Sequence, residues 1–209
     1  MSAPILWYFA DPMCSWCWGF SPVMEAVREA YHERLKIALV LGGLRPGTAT
    51  PMTAAARDEI LHHWHQVHAR SGQPFRFDGA LPDGFIYDTE PASRAVVTAG
   101  GIDPSQIFAM FKAIQTAFYA AGRDVTQPAV LAELAAELGI DPAAFLNAFD
   151  SNAARAKTQA HFAQSRKAGV RGFPTLILQR GERIDRIADG YLPLDTVRAE
   201  LDRLLLCPG

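Results

Sequence analysis

Residues 11–22 read DPMCSWCWGFSP, and the meaning of the whole chain turns on them. Of three cysteines in 209 residues, Cys14 and Cys17 stand here with only Ser15 and Trp16 between them. A pair that close is a redox dithiol, half of a metal site, or two core residues. The flanking sequence has to decide among these.

Upstream, PILWYFA (4–10) is a short apolar, β-leaning run ended by Asp11-Pro12, the pattern of a buried strand. Downstream, Phe20, Val23, Met24, Val27 and Tyr31 recur at spacings of three and four, which predicts a helix over about 15–34. KIALVL (36–41), rich in branched apolar residues, stops at Gly42-Gly43 and predicts a second strand. Strand, helix and strand within ~40 residues form a parallel βαβ unit with a right-handed crossover. Cys14 then falls where the strand hands over to the helix, and the unpaired N–H groups and helix dipole there favour a thiolate. Cys17 is one turn further in, positioned to attack a mixed disulfide formed at Cys14. In this setting Cys-X-X-Cys is a redox signal.

Composition narrows the setting. Hydrophobic residues make up 49% and charged residues 20%, as in a globular protein with a sizeable core. A formal net charge of −2 and the lack of basic runs give no case for nucleic acid or an acidic membrane, and no apolar stretch reaches bilayer length. MSAPILWYFADP has neither the basic start nor the cleavage site of a secretory signal, so the expectation is a cytoplasmic protein, where a structural disulfide would not persist.

From residue 51 the character changes. Helical segments are predicted at about 51–70, 90–100, 104–121, 127–138, 142–149 and 152–168, with no convincing strand among them. Asp103-Pro104 and Asp141-Pro142 suit helix starts, and Gly122, Gly139 and Gly169 suit stops. Strands return in FPTLILQ (173–179) and RIDRIA (183–188), joined as a hairpin through Arg180-Gly181-Glu182, and a last helix runs over 194–206. The expected division is a βαβ half (1–50), an all-helical insertion (51–168) and a ββα half (169–209). Pro174 opens a strand although proline cannot donate to the ladder. A cis bond after Phe173 would explain it and leave a backbone edge free to pair with a peptide.

DPMCSWCWGF, the long helical insertion and GVRGFPT (169–175) before a hairpin together resemble the DsbA family of thioredoxin-fold thiol–disulfide oxidoreductases, and within it the cytoplasmic FrnE-like branch. The likeness covers essentially the whole chain. It implies an α/β thioredoxin fold interrupted by the helical insertion, and disulfide exchange or isomerisation on a cysteine-containing polypeptide or a small thiol. It implies no cofactor beyond the dithiol, with glutathione at most a co-substrate. By the same resemblance Cys14 is the exposed nucleophile, Cys17 the resolving thiol, Pro174 the cis-proline facing them and Phe173 the residue whose backbone meets substrate.

The sequence departs from the family pattern in three places. Ser15-Trp16 is neither the Pro-His of strongly oxidising members nor the Gly-Pro of thioredoxins. Neither core strand holds an obvious buried carboxylate, Asp11 reading equally well as a turn former. No secretory signal is expected. Trp16 is expected to be exposed, as an apolar docking surface. Trp18 is expected in the core, and the glycines of GGLRPG (42–47) in a tight turn. Two other functions stay open. One is a kappa-type glutathione-dependent isomerase or transferase, which typically keeps a lone serine or cysteine as nucleophile. The other is a zinc-binding module using the dithiol or the histidines of HHWHQVH (62–68), a stretch read more simply as a solvated helix face.

Overall fold

The computed structural model describes residues 3–206; Cys207, read from the sequence as an incidental free thiol, lies outside them. The first half is β1 (Ile5–Ala10), α1 (Ser15–Tyr31) and β2 (Lys36–Leu41). The last is β3 (Thr175–Arg180), β4 (Arg183–Asp189) and α8 (Leu194–Leu206). They build one four-stranded sheet of order β2-β1-β3-β4. β1 runs parallel to β2 and antiparallel to β3, whose register pairs Tyr8 with Leu176 and Phe9 with Thr175.

Burial along β1 alternates between two cores. Leu6, Tyr8 and Ala10 join α1 and the insertion, while Phe9 packs with Val40 and Ile177 on the opposite face. Two-residue periodicity thus delivers the Tyr8 hydroxyl to the side of the sheet that carries the cysteines.

Between β2 and β3, every described element is helical: α2 (Ala54–Ser71), α3 (Glu90–Ile102), a 3₁₀ turn (Pro104–Gln106), α4 (Ile107–Gln115), a π turn (Thr116–Ala120), α5 (Pro128–Glu137), α6 (Pro142–Phe149) and α7 (Asn152–Lys167). Asp103 and Asp141 cap as expected, accepting from the N–H groups of Ser105 and Ala144 at 2.8 Å each. The segment read as one helix over 104–121 is a 3₁₀ turn, α4 and a π turn in succession. The third strand begins at Thr175 rather than Phe173, because Pro174 has no N–H to give; its carbonyl accepts from Gly190 at 2.8 Å. The insertion packs α2 on α1 and α7 on β2, so it forms a wall beside the start of α1.

Candidate active site

Cys14 caps α1 with extended backbone (φ −93°, ψ 118°), and its side chain spends no hydrogen bond on capping. Its carbonyl accepts the first helical bond from Trp18 at 3.0 Å, so the N–H groups of the opening turn are left around the sulfur. Three elements clamp the turn before it. The Asp11 carbonyl accepts from the Cys14 N–H at 3.1 Å. The Asp11 carboxylate accepts from Met13 at 2.9 Å and from Leu44 at 2.8 Å, tying the end of β1 to the loop after β2. From the insertion, Tyr87 Oη donates to the Met13 carbonyl at 2.6 Å.

Across from Cys14, the Phe173–Pro174 bond is cis, and the Cys14 thiol donates to the Phe173 carbonyl with Sγ and O 3.6 Å apart. The Phe173 ring lies against the backbone of Gly42, where a Cβ would fall 2.0 Å from a ring carbon. The GGLRPG loop therefore does more than turn the chain. Gly42 makes room for Phe173, and Leu44, two residues on, holds Asp11.

Cys17 is fully buried and Cys14 retains 6% exposure. The expected order of accessibility holds, but Cys14 is not the open thiol the resemblance implied, because the Phe173–Pro174 loop covers it. Trp16 is half-buried rather than exposed, its ring 6.0 Å from that of Tyr191. Trp18 is in the core as expected, donating to the Pro74 carbonyl at 3.0 Å and stacked on Tyr119.

Burial pushes the Cys17 thiol well above the ordinary cysteine range, and its hydrogen bond with Cys14 and the charge there push it further; the backbone N–H of Asp11 pulls the other way. Cys17 thus keeps its proton in the resting protein. Asp11, read from sequence as a turn former, is both that and a fully buried carboxyl. Burial raises it from 3.8 to about 6, against the pull of the Leu44 and Met13 N–H groups and of Thr89. Three tyrosines, Tyr8, Tyr87 and Tyr119, surround this cluster, each held above its usual range first by burial. Of these the sequence carried a signal only for Tyr8, in the alternation of Leu6, Tyr8 and Ala10. Tyr87 and Tyr119 arrive from an insertion whose packing no local pattern reports.

A cleft of about 610 Å³ opens over Trp16 and Phe173, continuing along Gln66, Ala69 and Arg70 of α2 and past Gly190 and Tyr191. The Arg70 guanidinium sits 5.9 Å over the Tyr191 ring. Among the described residues it is the one charged side chain lining the cleft. Aromatic walls with a cation at the rim suit an extended thiol or disulfide bearing a carboxylate.

The histidines of α2 are engaged elsewhere. His65 stacks on Phe77 with ring centroids 4.0 Å apart, His68 Nδ1 pairs with the Gln73 carbonyl at 2.7 Å, and His62 pairs with Gln66 at 2.9 Å. Among the described residues no three His, Cys, Asp or Glu side chains gather as metal ligands, and no helix is long and apolar enough to cross a membrane.

Comparison with known proteins shows the family and the fold. The family model for the DSBA-like thioredoxin domain matches residues 5–202. A structure from Nitrosomonas europaea, assigned provisionally as a protein disulfide isomerase, is 47% identical, superposes with a TM-score of 0.92, and covers 98% of each chain. The cytosolic disulfide reductase DsbM of Pseudomonas aeruginosa, also solved with GSH, is 34% identical with a TM-score of 0.81, over 96% of this chain and 98% of that one. The ClpXP adapter protein SpxH of Halalkalibacterium halodurans is 21% identical over 82% of this chain and 57% of its own length. The chain thus spans little more than half the length of the curated relatives it matches.

Proposed function

The chain belongs to the DSBA-like thioredoxin domain family, and from that premise we infer that it is a cytoplasmic thiol–disulfide oxidoreductase acting through the Cys14–Cys17 dithiol. The observation that carries this reading is the pairing of the Cys14 thiol with the Phe173 carbonyl at the cleft, with a proton-retaining Cys17 hydrogen-bonded behind it. Cys14, having released its proton to solvent, attacks as thiolate one sulfur of a substrate disulfide, forming a Cys14–substrate disulfide and releasing the other sulfur as thiolate. Cys17 sulfur then attacks Cys14; the Cys14–Cys17 bond forms, the second substrate sulfur leaves with its electron pair, and the Cys17 proton passes to solvent. The substrate gains two electrons and the dithiol loses two. A thiol reductant closes the cycle by the reverse sequence.

Trp16, Phe173 and Tyr191 hold the chain on either side of the reacting sulfur, and Arg70 selects for a carboxylate. A glutathione-containing disulfide or a short acidic peptide segment fits that cleft. Support for the small-thiol form is the 34% identity to DsbM, a cytosolic reductase solved with GSH, which also supports the cytoplasmic assignment. In this account residues 1–50 and 169–209 carry the chemistry, and residues 51–168 supply the cleft's far wall. The kappa-type alternative needs only one nucleophile and leaves the buried Cys17 beside Cys14 without a task.

Turnover tests the reading. Reduced protein should catalyse reduction of a glutathione–peptide mixed disulfide or of insulin, and Cys14→Ala should lose at least ~100-fold of that rate. Equal rates for Cys14→Ala and wild type would overturn it.

A further inference from the structure

A second cavity, of about 270 Å³, shares no residue with the cleft; it lies between α1 and α4, lined by Tyr8, Ser21, Glu25, Arg28, Lys112 and Gln115 among others. At its mouth Lys112 pairs with Glu25 at 2.7 Å, both partly exposed, and the Arg28 guanidinium lies over the Phe108 ring. At its depth are two side chains that packing alone does not explain. Gln115 is fully buried with both atoms of its amide unpartnered, and the buried Tyr8 hydroxyl has no oxygen or nitrogen partner, only the Cys17 thiol beside it. Between mouth and depth, Ser21 Oγ accepts from Lys112 Nζ at 3.2 Å and from Gln73 Nε2 at 2.8 Å, which leaves its own proton to donate. A fold under no other demand would place Leu and Phe at these sites, since an unpaired buried amide or hydroxyl costs stability.

Tyr8, Cys14 and Cys17 pack in one buried cluster, and burial first, then the neighbouring Cys17 and Cys14 sulfurs, keep the proton on the Tyr8 hydroxyl. Cys17 is sealed from solvent, and on its cleft side stands Cys14, which carries the substrate at the moment Cys17 must lose its proton.

We propose that this second cavity binds a short chain of water molecules between Tyr8 and Gln115 and is the exit route for the Cys17 proton during resolution of the mixed disulfide. The proposal rests on the oxidoreductase reading and adds the residues that serve its second step. As Cys17 sulfur bonds to Cys14 sulfur and the substrate sulfur departs with its electron pair, the Cys17 proton passes to Tyr8 Oη. Tyr8 gives its own proton to water held by Gln115, and Ser21 and Lys112 pass one on to bulk solvent. Tyr8 stays neutral overall, and the departing thiolate takes a proton from the cleft. In this scheme Tyr8, which takes the Cys17 proton, is a catalytic residue, and Gln115, which acts through the water it holds, is a positioning residue. The other titratable groups facing the dithiol are Asp11, Tyr87 and Tyr119, with Glu25, Arg28 and Lys112 at the cavity.

The test uses the full chain and an aryl disulfide that releases a coloured thiolate, so that two phases are visible: attack by Cys14, then resolution by Cys17. In Tyr8→Phe and Gln115→Leu the first phase should stay within about twofold of wild type. The second should slow at least ~10-fold, with an altered pH profile and solvent deuterium effect. Tyr8→Phe keeps the buried ring and removes one hydroxyl that has no oxygen or nitrogen partner in the protein, so it should still fold. A second phase unchanged in rate, pH profile and deuterium effect in both variants would overturn the conduit while leaving the dithiol chemistry intact. Absence of the first phase in wild type would overturn the oxidoreductase reading, and the conduit with it.

Discussion

Cys14 Sγ lies 3.6 Å from the carbonyl oxygen of Phe173, a residue 159 positions away in the chain. That contact joins the two halves of the fold at the reacting atom. Moving either partner changes what the thiol meets, and the contacts that hold Cys14 and Phe173 are where the account can be probed.

Gly42 supports the Phe173 side. Gly42→Ala puts a Cβ into the Phe173 ring, where overpacking costs about 1–3 kcal/mol, and should also slow exchange by displacing the carbonyl. Phe173→Ala removes the obstacle, so Gly42→Ala in that background should cost under about 0.5 kcal/mol. Denaturant unfolding of the four proteins checks this cycle.

Asp11 supports the Cys14 side, and its protonation makes stability depend on pH. Its folded pKa, about 6, lies above the ordinary 3.8, so the folded chain holds a proton that the unfolded chain releases. Stability contributed at low pH is therefore lost as pH rises from about 4 to about 6, by roughly 3 kcal/mol at 1.36 kcal/mol per pK unit. Asp11→Asn cannot titrate. The stability difference, wild type minus variant, measured by denaturant unfolding under a phosphine reductant, should fall by most of that amount, about 2.4 kcal/mol, between pH 4 and pH 7. A flat difference would contradict the buried-carboxyl description.

These two residues mark what the sequence could tell. Strand and helix periods were plain around 4–41 and 173–206, because each element buries a regular face, and within the insertion Asp-Pro marked the start of α6 and of the 3₁₀ turn before α4. Cys14, Cys17 and Pro174 were legible because chemistry and backbone restriction leave few residue choices. The buried state of Asp11 was not, since Asp-Pro is also an ordinary turn. Tyr87, Arg70 and Gln115 were silent for a different reason: their places beside the site come from packing across 50 or more residues, which no local pattern encodes. Trp16 and Cys14 proved less exposed than expected because the Phe173–Pro174 loop and Tyr191 close over them.

Arg70 should set substrate preference. Arg70→Ala should raise KM for glutathione disulfide about fivefold, the equivalent of ~1 kcal/mol for a rim charge, and the effect should shrink with added salt. Reduction of an uncharged small disulfide should be unaffected. Initial-rate kinetics with the two substrates separates selection at the cleft from damage to the dithiol.

The most direct test of disulfide exchange at Cys14 is to disable its resolution. Cys17→Ala keeps the nucleophile at the helix start and removes the thiol that would release it. After incubation with glutathione disulfide, intact-protein mass spectrometry should show one glutathionyl group on Cys14, removed by dithiothreitol. Wild type should carry almost none and hold a Cys14–Cys17 disulfide instead. A Cys17→Ala protein that stays unmodified, or is modified equally when Cys14 is also replaced, would contradict the account.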